Sequence, residues 1–357
     1  MLQNNGLKSL AMSKPKLVEK KYLLPFIIVT SLFALWGFAN DITNPLVAAF
    51  STIMEIPNAK AALIQFAFYG GYATMAIPAA LFVRKYSYKK AIILGLALYA
   101  TGALLFIPAA QFELFGFFLA SLYILTFGLA FLETTANPYI IAIGPEESGT
   151  RRLNFAQSFN PIGSITGVVL SKFFILSNLN VASAEDRARM SEQELTSLKT
   201  AELEAVMGPY VSIAFVLLIL WLIIYFYKMP KASDESSKID LIPSLVRLSQ
   251  KRHYVTGVIA QFFYVGAQIG VWSFTIRYAM NELNINEEAA ANYYIAALVL
   301  FMASRFLNTA LMKFVSPGRL LAGASVLAII CTSIVIFSGG YTGVYALVAI
   351  SACMSLM

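Results

Sequence analysis

Between Leu114 and Ile143 the chain carries a single acidic or basic side chain, Glu133. A helix of about 20 apolar residues crosses the hydrocarbon core of a bilayer, so this stretch reads as a membrane span. A carboxylate held near mid-membrane costs roughly 3 kcal/mol on insertion scales, which makes Glu133 a candidate functional group by default. Asn137 lies four residues on and shares its helical face. Pro138 has no N–H to donate and frees the carbonyl of Thr134 one turn earlier. The structural alternative is an acid neutralised by a neighbouring helix and serving packing alone.

The rest of the chain repeats this pattern. Of its 357 residues 59% are hydrophobic and 13% charged, and the mean hydropathy is +0.71. Soluble domains carry about 25% charged residues, so the fold class expected is an all-α polytopic membrane protein. Spans are expected near 23–49, 61–83, 91–110, 114–143, 153–177, 209–227, 254–276, 290–312 and 320–337. A final apolar run, Val344–Met357, reaches only about 20 Å as a helix, so the sequence is expected to stop inside a tenth span. The net charge of +7 does not suggest nucleic acid, because the bases sit in short loops beside the spans. Cys331 and Cys353 lie apart in apolar runs with no histidine at ligand spacing, so neither a disulfide nor a metal site is expected.

Several spans carry polar side chains at helical spacing. Span 1 holds Asn40, Asp41, Thr43 and Asn44 before Pro45, with Asp41 and Asn44 on one face. Span 2 holds Gln65 and the Gly70–Gly71 pair. Span 5 opens with Asn154, Gln157 and Asn160, three amides three residues apart. Facing lipid they would be expensive, so they point inward, either to hydrogen-bond a polyhydroxylated ligand or to join helices. Span 7 carries Gln261, Tyr264, Gln268 and Trp272 in one stripe, which could serve a sugar or a core. Arg305 in span 8 could snorkel or pair. A short helix is expected at Ser191–Ala205, where Ser191 and Glu194 fit a capping box. Leu241–Leu248 reads as an amphipathic piece on the membrane surface.

Alternate loops differ in charge. The tail 1–22, Arg84–Lys90, Pro145–Arg152, Lys228–Arg252 and Lys313–Arg319 hold most of the Lys and Arg, which places them and the N-terminus in the cytoplasm. Span 2, its basic turn and span 3 resemble span 8, its turn and span 9, a weak internal repeat. The organisation expected is a tail 1–22, a six-span bundle 23–228, a linker 229–253 and a second bundle 254–357. Two similar halves around a mid-membrane polar site suit a secondary transporter.

The motifs LFALWGFAND, FLETTANPY, GPEESGTRRLNFAQSFNPIG and AQFFYVGAQIGVWSFTIRY strongly resemble the L-fucose:proton symporter family of the major facilitator superfamily, which includes glucose/galactose and N-acetylglucosamine transporters. The resemblance implies two six-helix halves, alternating access and a central monosaccharide site in a bacterial inner membrane protein. It implies proton coupling at Glu133 and matches the family amides with Asn154, Gln157 and Asn160. The family's span-1 acid falls at Asn44, while Asp41 stands where the family has an asparagine.

The function expected is symport of a neutral monosaccharide with a proton, or with sodium. No other cofactor is expected, and the chain should act alone in the bilayer. Burial favours the neutral form of a carboxylate, so Glu133 or Asp41 could carry a proton near neutral pH. The coupling candidates are Glu133 and Asp41. The sugar candidates are Asn40, Asn44, Gln65, Asn137, Asn154, Gln157, Asn160, Gln261, Tyr264, Gln268 and Trp272. An intramembrane enzyme is disfavoured: the lone His253 cannot make HExxH, and neither GxSxG nor GxGD occurs. A sugar sensor that has lost transport is a further alternative.

Overall fold

The computed structural model describes residues 17–43, 50, 53–175, 187, 189–230 and 241–356. They form α1 (Leu23–Thr43), α2 (Leu63–Lys85), α3 (Tyr88–Leu104), α4 (Phe106–Phe112), α5 (Phe115–Ala142), α6 (Gly149–Gln157) and α7 (Asn160–Leu170). The longer α8 (Glu192–Phe226) is followed by α9 (Leu241–Ser249), α10 (Arg252–Leu283), α11 (Glu287–Leu311), α12 (Pro317–Ser338) and α13 (Gly340–Cys353). No strand occurs among the described residues. Eight of the helical stretches are long and apolar enough to cross a membrane.

Helices α1 to α8 share one hydrophobic core, with Phe33, Phe68, Tyr99, Phe118 and Tyr210 at its centre. A second, smaller cluster joins α11, α12 and α13 through Phe301, Cys331, Leu347 and Ile350. Bare glycines set the tightest contacts, since helices in lipid associate by close packing rather than by escape from water. A Cβ at Gly163 of α7 would overlap the Ala34 carbonyl of α1, and one at Gly37 would overlap that of Asn160. The same holds for α3 and α5, where a Cβ at Gly128 would overlap the Tyr99 amide and one at Gly102 the Leu125 amide.

Two elements differ from the sequence expectation. Span 5 is broken, with α6 ending at Gln157 and α7 starting at Asn160 across a turn at Ser158 and Phe159. Pro161 cannot donate to the Gln157 carbonyl and its ring crowds it, which interrupts the helix. The helix expected at Ser191–Ala205 does not stand apart either, but runs through Pro209 into span 6 as the 35-residue α8. Its capping box is present: Ser191 Oγ accepts from the Glu194 amide at 3.3 Å, and Glu194 Oε2 from the Ser191 amide at 3.0 Å. At 1.5 Å per residue α8 is about 52 Å long, against a hydrocarbon core of about 30 Å. Its first turns therefore stand clear of the membrane, on the face opposite the basic turns. There Arg187 and Glu202, both buried, form a bidentate pair at 2.6 and 3.0 Å.

On the basic face, Arg152 is fully buried and donates to the carbonyls of Ile140, Ile141 and Pro145 and to Ser148 Oγ, at 2.5–3.2 Å. It satisfies the carbonyls at the end of α5, which have no partner within their helix, and fixes the turn into α6. Lys89 does the same for α8, donating to the carbonyls of Tyr225 and Tyr227 at 2.8 Å each. The turn between α12 and α13 uses positive φ at Gly339 (+59°) and Gly340 (+54°), which glycine adopts without steric cost.

Candidate functional site

Glu133 sits half-buried on α5, nine residues before its end. That is about 14 Å of helix, near the bilayer midplane. Asn137 Nδ2 donates to the Glu133 main-chain carbonyl at 3.1 Å, so it satisfies the backbone one turn back. Asn137 Oδ1 accepts from Gln157 Nε2 at 3.1 Å, and Gln157 Oε1 accepts from Arg305 Nη1 at 2.8 Å. These bonds run from α5 through the last turn of α6 to α11. The two ends of the Gln157 amide are thereby distinguished, one facing the acid-bearing helix and the other a cation.

Arg305 is 8% exposed, and its guanidinium lies over the Phe301 ring at 4.8 Å. Of the two fates open to it in the sequence, it is paired. Below it, Asn154 is buried and donates both hydrogens across the halves, to the Arg305 carbonyl at 3.1 Å and to Thr309 Oγ1 at 2.8 Å. Phe306 of α11 meets Phe155 and Phe159 edge-on at 6.1 and 5.8 Å, and Phe155 stacks on Phe26 of α1 at 6.0 Å. The two halves thus meet along a seam in which polar and aromatic contacts lie side by side, Asn154 on Thr309 next to Phe155 on Phe306. The seam lies on the side of the membrane that carries the basic turns.

The third amide of span 5 does something different. Asn160 follows the helix break, and its Nδ2 donates to the Phe33 carbonyl at 3.3 Å, tying α7 to α1. The continuous stripe expected over 154–160 is therefore divided, with two amides facing α11 and one facing α1.

Asp41 is 8% exposed and lies two residues from the end of α1. Its carboxylate is within electrostatic reach of the Tyr69 and Tyr294 hydroxyls, on α2 and α11. Counted along α1 from the basic side it lies about 27 Å deep, against about 14 Å for Glu133 on α5. The two acids occupy different levels. Asn40 and Gln65 are half-buried near the Asp41 level, and Asn44 falls outside the described residues.

The span-7 stripe joins α10 to its own half. Tyr264 Oη donates to the Met354 carbonyl at 2.7 Å. Trp272 Nε1 donates to Ser351 Oγ at 3.2 Å, and its ring meets Phe301 edge-on at 5.1 Å. Gln268 is half-buried and Gln261 is exposed. Sequence reasoning left Arg305 with no assigned role and passed over Thr309, Phe306, Tyr69 and Tyr294. Only Arg305 carried a signal, as a cation inside an apolar span.

The family model described as Major Facilitator Superfamily matches residues 28–357. The L-fucose-proton symporter of Haemophilus influenzae is 52% identical over 349 residues, covering 96% of this chain and 81% of that protein. The L-fucose-proton symporter of Escherichia coli is 40% identical, over 95% and 78%. A glucose/galactose transporter of Brucella abortus is 30% identical, over 95% and 79%. The crystal structure of the transporter FucP in the outward conformation superposes with a TM-score of 0.86 at 40% identity, covering 95% of this chain and 83% of that one.

Proposed function

The chain belongs to the major facilitator superfamily, and from that premise we propose that it imports L-fucose, or a hexose of similar shape, together with a proton. The branch rests on the two fucose–proton symporters, at 52% and 40% identity, against 30% for the glucose/galactose transporter. The observation that carries the mechanism is the seam between the halves, where Asn154 and Gln157 are bonded to α11 while Glu133 lies one amide further in.

In this reading the protein is closed toward the basic face and receives sugar from the other. The basic face, with the N-terminus, is cytoplasmic in the bacterial inner membrane, and a single chain carries out transport. Glu133 holds the coupled proton. Sugar and proton together favour the state in which the halves rock apart at the seam, since a ligand shifts such an equilibrium only by its differential affinity for the two states. The change breaks the Asn154 and Gln157 bonds to α11 and frees their amides. Asp41, with Tyr69 and Tyr294 near it, contributes at the outer level, either to coupling or to the sugar's approach.

The test is uptake of labelled L-fucose, galactose and glucose into proteoliposomes under an imposed pH or sodium gradient. Glu133→Gln is compared with the unaltered protein. Fucose accumulation that follows the pH gradient, and that falls at least tenfold in E133Q while sugar exchange at equal concentrations persists, supports the proposal. Accumulation that follows sodium alone, or an E133Q variant that still concentrates sugar, overturns the assignment of ion and residue.

A further inference from the structure

We propose that α9 is a docking element for anionic phospholipid, which fixes the linker between the halves to the membrane surface. Leu241, Ile242, Leu245 and Val246 are all exposed, and at 100° per residue they fall on one continuous arc. Ser249 shares that arc, but its hydroxyl is spent on the Val246 carbonyl at 2.8 Å. The half-buried Ser244 and Leu248 lie toward one edge of the helix. The helix thus meets the protein along an edge and turns its apolar face away from it.

What covers that face follows from position and charge. Helix α9 ends at Ser249 and α10 begins at Arg252, so a short connection holds α9 at the level where α10 enters the bilayer. Tyr254, exposed in the first turn of α10, suits the headgroup region. Lys251 and Arg252 are exposed just past the end of the helix, Arg247 is exposed on its face opposite the apolar arc, and no Asp or Glu occurs from Leu241 to Asn281. An apolar face with a cation on the opposite side of the helix and two more at its C-terminal end, held at the interface, fits acyl chains below and phosphate headgroups at that end. The other end of the linker is strapped to the first half, because Lys89 holds Tyr225 and Tyr227, and Tyr139 Oη donates to the Pro230 carbonyl at 3.1 Å. Lipid at α9 therefore adds a membrane anchor beside the second half to a connection already fixed to the first.

Two measurements test this. The first places a nitroxide at Val246 (V246C) in the protein reconstituted into phosphatidylethanolamine, with or without phosphatidylglycerol, and compares relaxation by oxygen and by an aqueous nickel chelate. We expect a label reached by oxygen and shielded from nickel, more so with phosphatidylglycerol. In R247Q/K251Q/R252Q this dependence on anionic lipid should disappear, since each cation near such a surface is worth about fivefold in partitioning. A label reached by nickel in every membrane, or by neither reagent because protein covers it, overturns the proposal. The second is fucose uptake, which should rise several-fold with phosphatidylglycerol and lose that rise in the triple variant. Only this second arm rests on the transport reading, and an uptake rate indifferent to phosphatidylglycerol would remove the claim that docking governs the linker.

Discussion

Thr309→Val tests the seam with little change of shape. The variant replaces the hydroxyl that receives one Asn154 hydrogen at 2.8 Å and leaves the other bond, to the Arg305 carbonyl, in place. A buried neutral hydrogen bond contributes about 1 kcal/mol net, so the closed arrangement should lose about that much. At 1.4 kcal/mol per decade, the ratio of open to closed at the basic face should rise about fivefold. Asn154→Ala removes both bonds, about 2 kcal/mol, for a rise of about 30-fold. Because the Thr309 bond is contained in the Asn154 loss, N154A/T309V should match N154A rather than add to it. Spin labels on the exposed Lys85 and Lys313, in the basic turns of the two halves, report the ratio as two populations of inter-label distance. Equal populations in all three variants, with the fold intact, would refute the seam as the closure. A fully additive double variant would refute the pairing.

Other residues give further expectations. Gly163→Val should force α7 off α1, because its Cβ would overlap the Ala34 carbonyl. Overpacking of this kind costs about 1–3 kcal/mol and should lower the thermal midpoint in detergent, whereas an unchanged midpoint would mean the helices part easily. Arg187→Met should leave Glu202 buried without its guanidinium partner, at a cost of about 3–5 kcal/mol to that region, with Arg187→Met/Glu202→Leu recovering most of it. Proteolysis of the segment before α8 is the readout, and equal cleavage in the single and double variants would contradict it. Arg152→Lys offers three donors in place of a fork that serves four acceptors. It should loosen the turn after α5 and speed hydrogen exchange there.

The spans were legible because bilayer thickness writes itself into the length of an apolar run. Glu133 was legible for the same reason, since a lone charge stands out against such a run. The fate of the span-5 amides was not. The repeat of three residues implied one face of one helix, but Pro161 breaks that helix between Gln157 and Asn160 and turns the last amide toward Phe33. Arg305 was visible as an oddity, yet its partner Gln157 is 148 positions earlier. Nothing local in a sequence names a contact made across two halves. The length of α8 was missed because hydropathy marks where a helix leaves the membrane and not where it ends.

The extension of α8 has a practical consequence. A transporter almost wholly embedded in lipid offers little outside the bilayer by which its orientation can be followed. Here about 20 Å of unbroken helix projects from the first half, continuous with a membrane span, and the Arg187–Glu202 pair braces it. It must turn as that half turns. Exposed positions such as Ser197 are therefore places where a fluorophore or antibody fragment would register rocking of the first half, like the pointer of a gauge.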